Sequence, residues 1–226
     1  MARAPLSLYL IRHGQMDFDR SEAWSVAKMN EYAMGGLQGG LSPLGWAQAE
    51  RAADRLEGEG ITRIYTSSFL RAQETAVPLA RRLDLKPITL PEAGELNPGA
   101  IEDDGLPRRL FELMARDGAG AEGGPREWVP PALERAMRSG VGWYLTMNYL
   151  AQWLRGNTTG GEGVREGFDR AANALRTIVR ANPDGGSIAL FTHGYFIMLA
   201  ITYCLVTWPP GLRSTIFRPV LMVPNG

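Results

Sequence analysis

Two histidines share one sequence context, and they are the only histidines in the 226 residues. Each follows an apolar run and precedes a glycine, in Arg12-His13-Gly14 after residues 8–11 and in Thr192-His193-Gly194 after residues 188–191. An apolar run that ends in a glycine turn is typical of a buried strand. Because ligands bind at the carboxyl ends of strands in open α/β sheets, both histidines are predicted to lie at a site.

Two arginines accompany these histidines. Arg12 directly precedes His13, and Arg71 lies near the start of a helix predicted to follow a strand. One guanidinium group can donate two hydrogen bonds to a phosphate, and the N-terminus of a helix attracts anions. A neutral imidazole can act as a nucleophile near neutral pH. Two histidines and two arginines at the ends of strands and the start of a helix therefore indicate a site for an anion.

The elements that must position these side chains alternate along the chain. Strands are predicted over residues 6–11, 61–66, 87–90 and 187–191, and helices over 43–57, 69–83, 164–181 and 195–206. Ser42-Pro43 has the pattern of a helix N-cap followed by proline, and Ser67 or Ser68 is predicted to cap the next helix. Such alternation predicts a three-layer α/β/α fold with a mainly parallel sheet covered on both faces.

Residues 104–160 are predicted to form a helical cap inserted into a single domain that spans residues 1–226. An apolar stripe at helical spacing runs along this insertion. It could pack onto the core, form a dimer interface or line a hydrophobic substrate pocket. Its members are Trp143, Tyr144, Met147, Leu150, Trp153 and Leu154.

Composition excludes several classes of function. With 24 basic and 24 acidic residues the formal net charge is zero, so we expect neither nucleic acid nor a membrane as partner. Cys204 is the single cysteine, which excludes an internal disulfide. Residues 188–208 lack acidic and basic side chains over a length that could span a bilayer, but the glycine turn predicts a strand and a buried helix instead. We expect a cytoplasmic protein.

Five blocks in order resemble those of the histidine phosphatase superfamily, also called the phosphoglycerate mutase-like family. They cover the chain from residue 6 to about residue 206. The blocks are Arg12-His13-Gly14-Gln15; Gly36-Leu37-Gln38-Gly39 with residues 41–49; Tyr65-Thr66-Ser67-Ser68 with Arg71-Ala72 and Thr75-Ala76; residues 95–102; and Thr192-His193-Gly194.

The resemblance implies a role for each site residue. His13 would attack phosphorus and become phosphohistidine, while Arg12, Arg71 and His193 would surround the phosphate oxygens. Glu95 would be the acid that protonates the leaving oxygen. Glu92 competes for that role, although the spacing to Gly99 favours Glu95. The resemblance implies no cofactor and no metal ion.

Some positions depart from the family pattern. Met16 stands where the family often has Thr or Ser, and Asp19 stands where it often has an Asn that helps to hold phosphate. A carboxylate would repel a phosphate dianion, so Asp19 is not predicted as a ligand. The acid role also needs a raised carboxyl pKa, which burial near Glu102 or Asp103 could supply.

Three alternatives to a phosphatase stay open on sequence alone. Two histidines and a glutamate could form a metal triad, although two arginines beside a metal ion are costly. A phosphate-binding protein without activity could use the same fold. A mutase is the third, but the family mutases' Arg-Ser-Tyr-Asp-x-Pro-Pro-Pro run is missing after Glu102. We therefore expect a phosphatase for a small-molecule phosphate monoester, with the substrate and any homodimer undetermined.

Overall fold

The computed structural model describes residues 5–17, 39–101, 147–148 and 150–207. Its main sheet has four parallel strands: β1, Leu6–Arg12; β2, Ile61–Thr66; β3, Ile88–Thr89; and β6, Gly186–Thr192. Across the sheet they lie in the order β1-β6-β2-β3. The chain has the predicted α/β fold with a mainly parallel sheet, and the four apolar runs form its strands.

Four helices accompany the sheet in the described part of the chain. They are α1, Pro43–Leu56; α2, Leu70–Leu83; α3, Val164–Ala181; and α4, Gly194–Thr207. Ser42 caps α1 as predicted, because its side chain accepts a hydrogen bond from Gly45 N at 3.1 Å and Pro43 takes the first turn. The predicted cap of α2 is wrong: Phe69 is the N-cap residue and no side chain caps this helix.

Helices cover the sheet because its three longer strands, β1, β2 and β6, carry buried apolar side chains on both faces. On one face, β1, β2 and β6 pack against α1 and α2, and the cluster includes Tyr9, Ile11, Leu56, Ile64, Leu79 and Phe191. Side chains alternate along a strand, so Leu8, Leu10, Ile188 and Leu190 point to the opposite face, and all four are buried. Buried residues of α3 and α4, such as Leu175, Ile178, Phe196 and Leu199, supply the apolar surface for that face.

Two short strands lie where the sequence predicts only loops. The strand β4, Ala100–Ile101, pairs antiparallel with β5, Thr158–Thr159. Gly99 has φ +79 and approaches the backbone of Thr159 so closely that a Cβ atom there would overlap the Thr159 carbonyl oxygen. Two-residue strands are too short to show the alternation of apolar and polar residues that predicts a strand. Their pairing joins residues far apart in the chain, so local sequence patterns do not predict it.

The chain separates into two compact units. One comprises residues 1–18, 35–96 and 165–226, and the other comprises residues 19–34 and 97–164. In the second unit, Trp153 is buried and its indole N–H donates to Glu162 O at 2.6 Å, whereas Leu154 is exposed. Most of the predicted cap, including Trp143 and Tyr144, lies outside the described residues, so the cap at 104–160 stays a prediction.

No helix in the described part of the chain is long and apolar enough to cross a membrane. The charge-free segment that begins at Ile188 instead contains the end of β6, a turn and α4. Cys204 lies on α4 as a buried thiol, and burial raises its pKa to about 12.

Candidate active site

Strand register brings the two histidines together. Arg12 of β1 is paired with Thr192 of β6, so the residues that follow them, His13 and His193, leave the sheet side by side. The backbone N–H of His13 donates to Thr192 O at 3.0 Å. The two imidazole centroids are 5.1 Å apart. The parallel sheet thus places both rings at one carboxyl edge, where α/β folds bind ligands.

The turn after β1 is held against two helices. Gly14 N donates to Thr75 Oγ1 at 3.0 Å, and that hydroxyl in turn donates to Arg71 O at 2.6 Å within α2. A Cβ atom on Gly14 would lie 2.6 Å from Gly45 O at the start of α1. Glycine is required at this turn because no larger residue allows so close an approach of the two backbones.

The ring of His13 is oriented with one nitrogen towards the backbone. Its Nδ1 lies 2.7 Å from Gly14 O, and a carbonyl can only accept, so Nδ1 carries the proton. Nε2 of the neutral ring then holds the lone pair. Burial is the main cause that lowers the pKa of His13 to about 4; the Gly14 hydrogen bond opposes it, and the charges of Arg71 and Arg12 lower the pKa further. His13 is therefore neutral and nucleophilic at neutral pH.

His193 is fully buried and is oriented by a hydroxyl. Its Nε2 lies 2.7 Å from Ser67 Oγ, and the edge of its ring meets the ring of Phe69 at 4.9 Å between centroids. Its Nδ1 is buried without a hydrogen-bond partner among the described residues. Burial, with Arg71 as the next cause, lowers the pKa of His193. If Ser67 donates to Nε2, Nδ1 carries the proton and can donate to an anion.

Arg71 supplies the main buried positive charge. Its side chain is 2% exposed, its guanidinium lies 4.7 Å from the centre of the Phe69 ring, and its Nε and Nη1 have no partner among the described residues. Burial lowers the pKa of Arg71, and the nearby Glu95 raises it. A buried cation with unpaired N–H groups is costly unless an anion accepts from them. These donors, with His193 Nδ1, are the features expected of a phosphate site.

Arg12 is the exposed residue of this group. A Cβ atom built on Gly194 would lie 3.7 Å from Arg12 Nε, which places the guanidinium beside the turn between β6 and α4. Arg12 also lowers the pKa values of His13 and His193 by its charge. It therefore belongs with Arg71 to the positive side of the site.

Glu95 lies at the N-terminus of α4. Its Oε1 accepts from Tyr195 N at 3.1 Å and from Phe196 N at 3.3 Å, as well as from Leu96 N at 3.0 Å. Burial raises the pKa of Glu95, against the lowering effects of these hydrogen bonds and of Arg71 and Arg12. Glu102 and Asp103, which the sequence suggested as the cause, lie outside the described residues.

Glu92, the rival acid, has a different environment. Its side chain is exposed, and its backbone carbonyl accepts from Arg170 Nη1 at 2.7 Å. The carboxyl group that lies among Arg71, Arg12 and the start of α4 is that of Glu95. Asp19 lies outside the described residues, and its predicted exclusion from the site stays a prediction.

The structure adds three residues to the group that the sequence analysis did not assign to the site. Ser67 orients His193, Thr75 joins the His13 turn to α2, and Arg170 donates to the loop that carries Glu95. Ser67 directly follows β2, so the strand-end argument used for the histidines could have found it. Thr75 and Arg170 lie inside helices, and their partners are distant in sequence.

A metal triad finds no support in the arrangement of side chains. Among the described residues, no three His, Cys, Asp or Glu side chains converge as metal ligands would. The group around His13 and His193 instead combines two imidazoles with two guanidinium groups.

The sequence matches the family model of the histidine phosphatase superfamily (branch 1) over residues 8–136 and 144–218, which is most of its length. The chain belongs to the histidine phosphatase superfamily. The match spans both histidine blocks and the Arg71 block. Proteins similar to the chain carry the names of phosphatases and of mutases.

Individual relatives resemble the chain in part. A protein named probable phosphoglycerate mutase GpmB, from Yersinia enterocolitica, is 34% identical over 97 residues, which are 43% of this chain and 41% of that protein. The match thus spans well under half the length of that curated relative. Solved structures match more of the chain at lower identity.

Two of these structures carry different activities in their names. A mycobacterial glucosyl-3-phosphoglycerate phosphatase has a TM-score of 0.53 at 22% identity, over 88% of this chain and 79% of its own. A phosphoglycerate mutase from Bacillus anthracis has a TM-score of 0.54 at 20% identity, over 87% and 78%. Identities this low support the shared fold and do not separate phosphatase from mutase.

Proposed function

We propose that this chain is a phosphatase that hydrolyses a small-molecule phosphate monoester through a phosphohistidine on His13, without a metal ion. One observation carries the proposal. The Nδ1–H of His13 is bound to Gly14 O, which leaves the Nε2 lone pair free beside the unpaired donors of Arg71 and His193. A nucleophile next to fixed donors is what phosphoryl transfer requires.

The first half of the reaction transfers the phosphoryl group. Nε2 of His13 forms a bond to phosphorus as the bond from phosphorus to the ester oxygen breaks. Arg71, Arg12 and His193 Nδ1–H stabilise the charge on the phosphoryl oxygens. Glu95, whose pKa is raised by burial, gives its proton to the leaving oxygen. The Nδ1–H bond to Gly14 O stabilises the positive charge on the phosphorylated ring.

The second half hydrolyses the phosphohistidine. The Glu95 carboxylate takes a proton from a water molecule, whose oxygen attacks phosphorus while the bond to His13 Nε2 breaks. Inorganic phosphate leaves, and His13 is neutral again with Glu95 protonated. Glu95 suits both steps because two opposing effects act on its pKa. Burial favours the protonated acid, whereas the N-terminus of α4 and the two arginines favour the carboxylate.

The experiment that tests this proposal uses 4-nitrophenyl phosphate and measures phosphate release by wild type and His13→Ala. We expect His13→Ala to reduce kcat by at least about a thousandfold, because the covalent route is removed. A radiolabelled substrate should leave an acid-labile, alkali-stable label on wild type and none on the variant. Ser68→Ala, at an exposed position directly after the buried Ser67, serves as the control.

The outcomes separate the alternatives. Activity that survives in His13→Ala contradicts a phosphohistidine route. Loss of activity in a chelator would indicate a metal-dependent enzyme instead. Absence of both activity and label in wild type, across a panel of phosphate esters, would indicate a phosphate-binding protein without catalysis.

The second candidate is a phosphoglycerate mutase-type phosphotransferase, which the name of the Yersinia relative favours. Against it, the chain lacks the Pro-rich run that follows Glu102, the last residue of the fourth block, in family mutases. The two reactions differ in where the phosphate goes. With 3-phosphoglycerate as substrate, a phosphatase releases inorganic phosphate, whereas a mutase yields 2-phosphoglycerate at a useful rate.

A further inference from the structure

The loop that carries Glu95 is bound to one arginine of α3. Arg170 Nη1 donates to Glu92 O at 2.7 Å and to Gly94 O at 2.9 Å, and its Nη2 lies 3.3 Å from Glu95 O. One guanidinium thus binds three backbone carbonyls within four consecutive residues. Several hydrogen bonds from one planar guanidinium fix both the position and the orientation of the loop backbone, which a single hydrogen bond cannot do.

Other backbone groups of this loop are also held. Thr192 Oγ1, at the end of β6, donates to Ala93 O at 2.5 Å. Ala93 N and Gly94 N donate to Leu90 O and Pro91 O, both at 3.0 Å. Every carbonyl from residue 92 to residue 95 therefore has a donor, and Arg170 supplies three of the four.

These contacts act on the carboxyl group through the backbone. Glu95 O is bound by Arg170, while Glu95 Oε1 is bound by the N–H groups of Tyr195 and Phe196 at the start of α4. The residue is held at its main chain and at its side chain, by two different helices. The cations that lower the Glu95 pKa are Arg71 and Arg12, so what Arg170 contributes to Glu95 is position, while its charge acts on the pKa of His193.

We propose that Arg170 is a positioning residue for general-acid catalysis, because its guanidinium fork holds the 92–95 loop so that the Glu95 carboxyl group reaches the leaving oxygen. This inference rests on the proposed function, in which Glu95 is the acid. It predicts a defect that depends on the leaving group. A poor leaving group needs the proton, whereas 4-nitrophenolate leaves readily without it.

The test measures kcat/KM for phenyl phosphate and for 4-nitrophenyl phosphate in wild type, Arg170→Met, Arg170→Lys and Glu95→Gln. For Arg170→Met we expect a fall of about tenfold or more with phenyl phosphate and a much smaller fall with 4-nitrophenyl phosphate, because misplacement of a catalytic group by about 1 Å can cost that much. Arg170→Lys keeps the charge without the fork and should fall between wild type and Arg170→Met.

The ratio of the two kcat/KM values within one preparation is the decisive quantity, because it does not depend on the fraction of folded enzyme. Arg165→Met is the matched control: Arg165 lies on the same helix with a side chain that is 95% exposed. It should leave the ratio unchanged.

A double variant separates this inference from the proposed function. If Arg170 acts through Glu95, Arg170→Met should not change the ratio further when Glu95→Gln is already present. Equal losses with both substrates in Arg170→Met overturn the inference, because the defect would then not depend on protonation of the leaving oxygen. If Glu95→Gln itself leaves the ratio unchanged, the assignment of Glu95 as the acid fails, and the inference fails with it.

Discussion

At the scale of single residues, the hydroxyl of Ser67 determines which ring nitrogen of His193 carries the proton. The imidazole is fully buried with Ser67 Oγ at 2.7 Å from Nε2 and no described partner at Nδ1. A hydroxyl can donate or accept, so the tautomer of the ring follows the direction in which Ser67 donates. Donation to Nε2 leaves the Nδ1–H without a described partner, and in the proposed reaction this group donates to a phosphoryl oxygen.

Replacement of Ser67 tests this arrangement. Ser67→Ala leaves a buried ring nitrogen unpaired, which costs about 1–3 kcal/mol and permits the other tautomer. We expect kcat/KM for 4-nitrophenyl phosphate to fall about tenfold, since about 1.4 kcal/mol corresponds to that factor. Ser68→Ala, one residue along and exposed, should behave as wild type. Equal activity of the two variants would show that Ser67 does not orient His193 for catalysis.

At the scale of elements, the turn after β1 depends on the start of α1. Gly14 and Gly45 meet backbone to backbone, and a Cβ atom on Gly45 would overlap the carbonyl oxygen of Gln15. Ser42 and Pro43 begin α1 at a defined residue, which places Gly45 in the first turn of the helix. Helix capping therefore contributes to the position of His13.

Gly45→Ala should disturb both stability and activity. The added methyl group must displace the Gln15 backbone, so we expect a loss of about 1–3 kcal/mol in the free energy of unfolding. Because the same turn carries His13, kcat should fall as well. Gly58→Ala is the matched control, since a Cβ atom there has nothing within 4 Å. Denaturant unfolding and 4-nitrophenyl phosphate hydrolysis measure the two effects, and a Gly45→Ala protein with wild-type values would contradict the close packing.

The secondary elements were largely predictable, and their exceptions have physical causes. The long amphipathic helix α3 has the predicted bounds, because its apolar spacing is regular over many turns. The cap of α2 was predicted wrongly, since Ser67 hydrogen bonds to His193 instead of capping the helix. The pair β4 and β5 was missed, because its two-residue strands depend on a distant partner and not on local pattern.

At the scale of the whole molecule, burying two neutral histidines links stability to pH. The pKa of His13 is lowered to about 4 and that of His193 is also lowered, mainly by burial, whereas both rings have their ordinary pKa in the unfolded chain. Below the unfolded value the unfolded chain binds more protons, so folding loses stability as pH falls. Glu95 acts in the opposite sense, because its raised pKa favours proton binding by the folded chain.

The His13 contribution can be measured by replacement. Between about pH 7.5 and about pH 5, wild type should lose about 2 kcal/mol of unfolding free energy through His13 alone, as the shift from an ordinary histidine pKa implies. In His13→Gln this part of the pH dependence should disappear, with the His193 and Glu95 contributions remaining. Denaturant titrations of both proteins at the two pH values provide the measurement. Parallel losses in the two proteins would contradict a depressed pKa at His13.

The sequence by itself determined the fold class and the family, and through the family blocks it predicted the candidate site residues His13, His193, Arg12, Arg71 and Glu95. These follow from local features: apolar runs, glycine turns and ordered blocks are properties of neighbouring residues. Only the tertiary structure decided how these residues are held. The hydrogen bond of Nδ1 to Gly14 O, the Ser67 partner of His193 and the Arg170 fork on the Glu95 loop join residues from separate elements. Such contacts depend on strand register and on which helix faces pack together. Neither can be predicted from the residue spacing within a single segment.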